Sequence, residues 1–485
     1  GAMRHGGVRV DRDSQSLNLE SQRRASLLLS LALAGAVGIL ATRCTATTPS
    51  PPPQAGTLLD GERPVHEEAF AVDAEGMVVL MLTATGPGSD WSTKGAEAAV
   101  LSVHLDGQHR ADVVLFAGAE SHAYPVHLGR LAAGEHRLTL QYEPKRSAKG
   151  AAMVAVEELG FQVYTPQDPL YLPLRFAPIL YGRPDAARSD VPLLMAYRMT
   201  EQAGATEIEY TVIFSNEDGG TEPEGLMARW GRLTDIEWVY RVWLKDGTIV
   251  REEFQGEDHE TLPFTGRKDG HQPLLAVVTL NNMVGEAKPE AKTLRFALPP
   301  LEPMPADHSR EELMDRHPWT YRIMAKEWSR EGMERRARPQ TARVSDPRNY
   351  LYVEFESDHV DASGAPTTAC DLGLALQVKL RGDETWYSSD HRRPKLRLVS
   401  RGWRRGAIEL PEGADAAALE ALRLVIYPGE RASDCRFRLR RIGKVFLLGE
   451  DYAPQPSLLS WQGELLLDVD PDTAESDEYA FEIQR

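Results

Sequence analysis

Short apolar segments recur along most of the chain at intervals of about ten residues, broken by Gly, Asp and Pro. The clearest early ones are MVVLML (77–82), AVLSVHL (99–105), ADVVLFA (111–117) and HRLTLQY (136–142). In the last, Leu138, Leu140 and Tyr142 alternate with Arg137, Thr139 and Gln141, so one face is buried and the other wet. This rhythm predicts a β-sandwich over 62–165. Prolines 166, 169, 173, 178 and 184 then lead into a second set of strands, EIEYTVIFS (207–215), DIEWVYRVWL (235–244) and LLAVVTL (274–280), closed by prolines 299, 300, 303 and 305. We place a central sandwich at 166–303.

The period changes at 304–338, where Glu311, Glu312, Leu313 and Met314 favour helix. Pro318 interrupts the run, which predicts two short helices or a helix and a turn. Strand signals return at 350–356, 372–380, 422–428 and 435–448, and predict a third sandwich over 339–455. Residues 456–485 are acidic and read as a tail, in part without fixed structure. The expected fold class is therefore mainly β: tandem β-sandwich domains, jelly-roll-like, with a short helical segment between the second and third.

The N-terminus departs from this pattern. Gly1 and Ala2 before Met3 read as a cloning remnant. Arg23 and Arg24 precede an apolar run (25–41), the arrangement of a signal peptide within 1–44 or of an uncleaved anchor. Cys44 sits where a lipid-bearing cysteine would, although Arg43 before it is larger than such sites carry. A Pro/Thr/Ser-rich tether follows at 45–61. The expected location is secreted or associated with the cell envelope, with the membrane touched only through the N-terminal segment.

At 485 residues the chain has room for about three domains. A formal charge of −17 argues against nucleic acid as a partner, because phosphate selects basic surface. Beyond Cys44 only Cys370 and Cys435 remain, a pair that exported proteins can bridge and that lacks zinc-site spacing.

Candidate chemistry concentrates in 214–243. Glu217 and Asp218 precede Gly219 and Gly220 and make an acidic turn; Arg229, Trp230 and Arg232 follow. In the next strand, alternation places Asp235, Glu237, Val239, Arg241 and Trp243 on one face and Ile236, Trp238, Tyr240, Val242 and Leu244 on the core face. Asp235 and Glu237 would project together, about 7 Å apart. Clustered carboxylates suit Ca²⁺ or Mg²⁺, with Asp218 and His271 as further ligands. The same Asp235, Glu237, Glu217 and Asp218 would serve a glycan hydrolase. A solvated face with Arg241 as ion-pair partner accounts for them equally. No serine-hydrolase elbow, zinc-protease helix, phosphate loop or dinucleotide fingerprint occurs, so whether the chain is an enzyme stays open.

Two resemblances bear on function. HLGRLAAGEHRLTL (127–140) resembles a turn-and-strand phrase of carbohydrate-binding β-sandwich modules. Ala177, Pro178, Ile179, Leu180, Tyr181, Pro184 and Asp185, followed later by Asp235, Ile236, Glu237 and Trp238, resemble the β-sandwich family of vacuolar protein sorting 62-like domains and necrosis-inducing proteins. In the necrosis-inducing branch the equivalent acidic groups hold a divalent cation, which the resemblance implies for Asp235 and Glu237. The histidines of that segment are missing here, and Trp follows the glutamate.

Exposed aromatics stack on sugar rings. Trp91, Trp230 and the Trp386–Tyr387 pair are candidate platforms, with Arg229 and Arg232 as hydrogen-bonding neighbours. Basic clusters at His391, Arg392, Arg393, Lys395 and Arg397 and at Arg401, Arg404 and Arg405 offer a face for an anionic glycan, a membrane or this chain's own acidic domains. The function expected is binding of polysaccharide or another cell-envelope component through β-sandwiches, with a glycan hydrolase and a structural or partner-binding envelope protein as alternatives.

Overall fold

The computed structural model describes residues 56–483, apart from 187–189, 218–220, 289–292, 334–342, 400, 430–434 and 470–477. The export segment, Cys44, most of the tether and Asp218 lie outside the described residues.

The first sandwich consists of two four-stranded antiparallel sheets. One orders Thr57–Leu59, Val154–Tyr164, Gly76–Thr85 and His122–Leu131; the other orders Val65–Val72, Gly134–Tyr142, Val100–Leu105 and Gln108–Val114. Alternation sets the register: Leu140 pairs with Val103 and Leu138 with Leu105, all buried. The run MVVLML does not alternate because both its faces are covered. Leu80 and Leu82 face the sandwich interior, while Met77 and Val79 pack on Tyr171 and Leu174 of a short helix, Tyr171–Phe176.

The central domain pairs a six-stranded sheet with a smaller five-stranded one. The larger is antiparallel except at one edge, where Pro300–Pro303 lies parallel to Pro192–Gln202. Prolines suit such an edge, since they donate nothing to a ladder. The helical segment forms two helices, Glu312–Arg316 and Trp319–Arg330, with Pro318 as the first residue before the second. Proline is harmless there, where no intrahelical N–H bond is required. No described helix is long and apolar enough to cross a membrane.

The C-terminal sandwich has two four-stranded sheets. Residues 461–482, expected within a loose tail, supply an edge strand to each: Trp461–Leu467 pairs with Arg436–Phe446, and Glu478–Glu482 pairs with Leu419–Tyr427. Phe481 is buried in the core there and anchors the second of these strands. Cys370 and Cys435 form a disulfide, with Cα atoms 6.0 Å apart. They precede Gly373–Leu380 and Arg436–Phe446, strands of opposite sheets, so the bond staples the sandwich across its core.

One apolar core runs through the first and central sandwiches and the longer helix; the C-terminal interior is a second, separate core. Strand Tyr350–Val360 serves both, with Leu351, Val353 and Phe355 facing its own sandwich and Tyr350 and Tyr352 facing the larger core.

Candidate functional site

Beyond the acidic turn the chain forms a helix where the sequence analysis assigned no element. Pro223–Trp230 begins with proline, carries Glu224 in its first turn, and ends at Gly231, whose φ of 64° is the left-handed C-terminal cap glycine favours. Those three residues were the available signal. Gly231 turns the chain into strand Asp235–Lys245.

That strand carries a bulge. Tyr240 pairs with Tyr210, but the next neighbour, Thr211, pairs with Trp238, which leaves Val239 extra. A bulge reverses the alternation across it. Asp235 and Glu237 consequently share the side of Tyr240, Val242 and Leu244, whereas Trp238 joins Arg241 and Trp243 on the outer face. The expected faces are thus corrected at this end of the strand.

Asp235 is buried, with 2% exposure. Asn282 Nδ2 donates to Asp235 Oδ2 at 3.2 Å and to the Asn216 carbonyl at 2.9 Å. Arg232 Nη1 lies 3.9 Å from Asp235 Oδ1, and its Nε donates to Glu311 at 3.0 Å. Arg310 Nη2 lies 4.0 Å from Glu237. Burial pushes the Asp235 carboxyl well above the usual range; the charge of Glu237 adds to this, and Arg232 only partly opposes it. Glu217 is raised by burial too. Burial alone would also raise Glu311, but Arg232, Arg310 and Arg405 outweigh it and hold its pKa down.

This arrangement is an interior ion network. A hard cation needs oxygen ligands that converge without competing cations. Here two guanidinium groups, those of Arg232 and Arg310, already stand against the carboxylates, so the donor set does not fit Ca²⁺ or Mg²⁺. Nor do Asp235, Glu237 and Glu217 line either cavity described below, whereas a glycosidase flanks an open, substrate-sized gap with its carboxylates. His271 lies elsewhere: its Nε2 is 2.9 Å from Arg175 Nη2, and its ring stands edge-on to Phe176. Among the described residues, the ligand-like group is His308, Glu312 and Glu354, which already faces Arg405 and Lys444.

Of the expected aromatic platforms only Trp91 is wholly buried; Trp230 and Trp386 are half-buried, each with an arginine on its ring. Trp91 has no exposure; its Nε1 donates to Glu327 at 2.8 Å, and Arg330 stacks on it at 4.6 Å. Trp230 lies half-buried under Arg229 at 5.0 Å, and Arg229 Nε donates to the Gly225 carbonyl. Arg232 is wholly interior. Trp386 lies beneath Arg423 at 4.0 Å, and the Tyr387 hydroxyl donates to Asp383 at 2.8 Å. Much of the basic cluster faces this chain's own acids: Arg393 pairs with Glu222 and Glu224, Lys395 with Glu222, and Arg397 with Asp390.

A different aromatic group appears on the outer face of the six-stranded sheet. Trp238 and Trp243 are half-buried, with Arg241 over Trp238 at 3.8 Å and Arg251 over Trp243 at 4.6 Å. Across the ladder Glu209 receives Arg241 at 2.6 Å; Glu207, Glu253 and Arg198 complete the face. Nothing in the sequence marked Trp238 as outward, because the bulge leaves no compositional trace.

A cavity of about 280 Å³ lies between the first and central sandwiches. Phe116 and Trp319 stack at 5.5 Å on its wall, and the His122 ring meets Trp319 at 4.8 Å and Tyr124 at 4.7 Å. Burial pushes His122 down to about 4, so it is neutral at pH 7. A recess of about 110 Å³ shares Phe116, His122 and Trp319 and carries Glu120, Arg322 and Lys326.

No family model matches the chain, and no curated protein matches it. Solved structures to which it is similar include NLPPya in complex with glucosamine, at 15% identity over 27% of this chain and 73% of that chain, with a TM-score of 0.21. Another is the CBM36-1 domain of a multidomain xylanase from the hindgut metagenome of Trinervitermes trinervoides, at 12% identity over 23% and 78%, TM-score 0.17. A third is the tandem CBM51 modules of Sp3GH98, the family 98 glycoside hydrolase from Streptococcus pneumoniae SP3-BS71, at 11% identity over 81% and 83%, TM-score 0.17. At these scores the likeness carries no argument about ligands. The sheets themselves define the class: this is a tandem β-sandwich protein.

Proposed function

We propose that this chain is an exported binding protein that presents the outer face of its central sheet to polysaccharide of the cell envelope or its surroundings. The observation that carries the reading is the bulge at Val239, which sets Trp238 on the same face as Trp243, with Arg241 between them and Arg198, Arg251, Glu207, Glu209 and Glu253 around them. A sugar ring stacks its C–H face on an aromatic ring and offers hydroxyls to carboxylates and guanidinium groups. Three cations against three carboxylates leave this face near neutral, which favours an uncharged glycan over a polyanion. The basic pair and apolar run near the N-terminus, the Pro-rich tether and the disulfide support export. We read the central sandwich as a relative of the vacuolar protein sorting 62-like family in which Arg232 and Arg310 supply the positive charge beside the acidic pair.

Affinity electrophoresis through gels containing neutral glucan, mannan or xylan tests this reading. The wild-type chain should be retarded by at least one, and the Trp238→Ala/Trp243→Ala double variant should lose at least about tenfold in affinity. Unchanged retardation of a folded double variant would move the site elsewhere. Failure of the wild type on every neutral glycan would favour a protein partner of the envelope.

A further inference from the structure

We infer that the cavity between the first and central sandwiches binds a small apolar molecule that carries a hydrogen-bond donor and no negative charge. Its walls come from both domains: Val114 and Val126 from the first, Leu193, Met195 and Leu298 from the central, and Trp319 from the longer helix. An apolar cavity of about 150 Å³ accommodates one benzene ring. The 280 Å³ here has room for nearly two, at the lower edge of ligand-pocket sizes.

Charge on the lining selects the ligand. Among the described residues no Lys or Arg lines the cavity, and the lining acids are Asp112 and Glu302. Both Asp112 oxygens are occupied, Oδ1 by His109 at 3.0 Å and Arg146 at 2.6 Å, and Oδ2 by the Arg295 backbone N–H at 2.8 Å. Glu302 Oε1 lies 3.3 Å from His317 Nε2, and burial, outweighing the charge of Glu302, holds the His317 pKa below its usual value. A carboxylate facing an apolar space repels an anion strongly and welcomes a hydroxyl or amine. Arg322 and Lys326 do not alter this, since they sit in the adjoining recess and pair with Glu120.

Two fluorescent probes with the same ring system test the site. 1-Naphthylamine has two fused rings and an N–H; 1-aminonaphthalene-5-sulfonate adds one sulfonate. Titrated against the whole chain, the first should saturate at one per chain, and the second should bind at least about tenfold more weakly. Leu193→Trp fills the cavity and should abolish saturable binding of the amine. Ala123→Trp, placed at an exposed strand position on the cavity's edge, should do the same without disturbing the core. Glu302→Gln should bring the sulfonate to within about threefold of the amine. Non-saturable binding of the amine, equal affinity for the two probes, or binding that survives Ala123→Trp overturns the inference.

Discussion

The two joints of this molecule are built differently. Between the first and central sandwiches the apolar core is continuous, and the polar contacts lie along it: Arg295 to Asp112 and to the Arg110 carbonyl, the His127 backbone N–H to the Ala297 carbonyl, Gln272 Nε2 to His127 Nδ1 at 2.7 Å, and the Arg110–Asp269 ion pair at 3.5 Å. Between the helical segment and the C-terminal sandwich lies a buried charge. Arg405 grips Asp315 with two hydrogen bonds of 2.7 and 2.8 Å and also reaches Glu354 at 2.9 Å, while Lys444 closes on Asp315 and Glu312. Alongside, helix Pro223–Trp230 approaches strand Gly402–Glu409 so closely that a Cβ at Gly406 would lie 2.8 Å from the Ala228 carbonyl oxygen. An apolar joint tolerates an imperfect fit and leaves a cavity; an ionic joint accepts only one geometry, because each charge it buries needs its partner.

Arg405→Met strikes the second joint hardest. It strands Asp315 and Glu354 without their shared cation and should cost about 3–5 kcal/mol in denaturant unfolding. A loss below about 1 kcal/mol would show that the network contributes little. Reduction of the Cys370–Cys435 bond should cost about 2–4 kcal/mol. Because the C-terminal core is separate, calorimetry should show one transition falling while the other holds; a common shift would mean that the two cores unfold together. At the apolar joint, Val126→Ala should cost about 1–2 kcal/mol, with little dependence on salt, in contrast to Arg405→Met.

Acidity separates two carboxyls of opposite behaviour. Burial would raise Asp315, but Arg405 and Lys444 hold it below the usual range. Its contribution is present above the ordinary carboxylate pKa and is lost as pH falls through the depressed value. The raised Asp235 contributes below the ordinary pKa, and that contribution fades as pH rises towards the raised one. Asp235→Asn mimics the protonated form, so its midpoint should match or exceed wild type at pH 8 and show a flatter profile from pH 5 upward. A variant less stable than wild type at pH 8 would mean that the charged carboxylate is the native form. The smallest expected effect is that of calcium: millimolar Ca²⁺ should move the melting temperature by less than about 1 °C. A larger rise would show a bound cation that the ion network described here does not provide for.

Much of the fold was legible in the chain. Alternation in Leu138–Tyr142, the prolines between domains, and Pro318 within the helical stretch act over a few residues, so they survive as sequence signals. Cys370 and Cys435 stand far apart in the chain, and only the packing of two sheets brings them together. The candidate site was half legible. Sequence marked 214–243 as the place where charge and tryptophan concentrate, and there Asp235, Glu237 and Glu217 do gather.

Which side each residue faces was decided elsewhere. One unpaired residue, Val239, reverses a period-two pattern, and its position depends on the register with strand Ala205–Phe214. The partners Arg310, Glu311 and Asn282 come from distant segments, as do the walls of the cavity. Local periodicity determined that this chain is a string of sandwiches. Only long-range packing decided that the acidic pair turns inward, that Trp238 turns outward, and that a space remains between the first two domains.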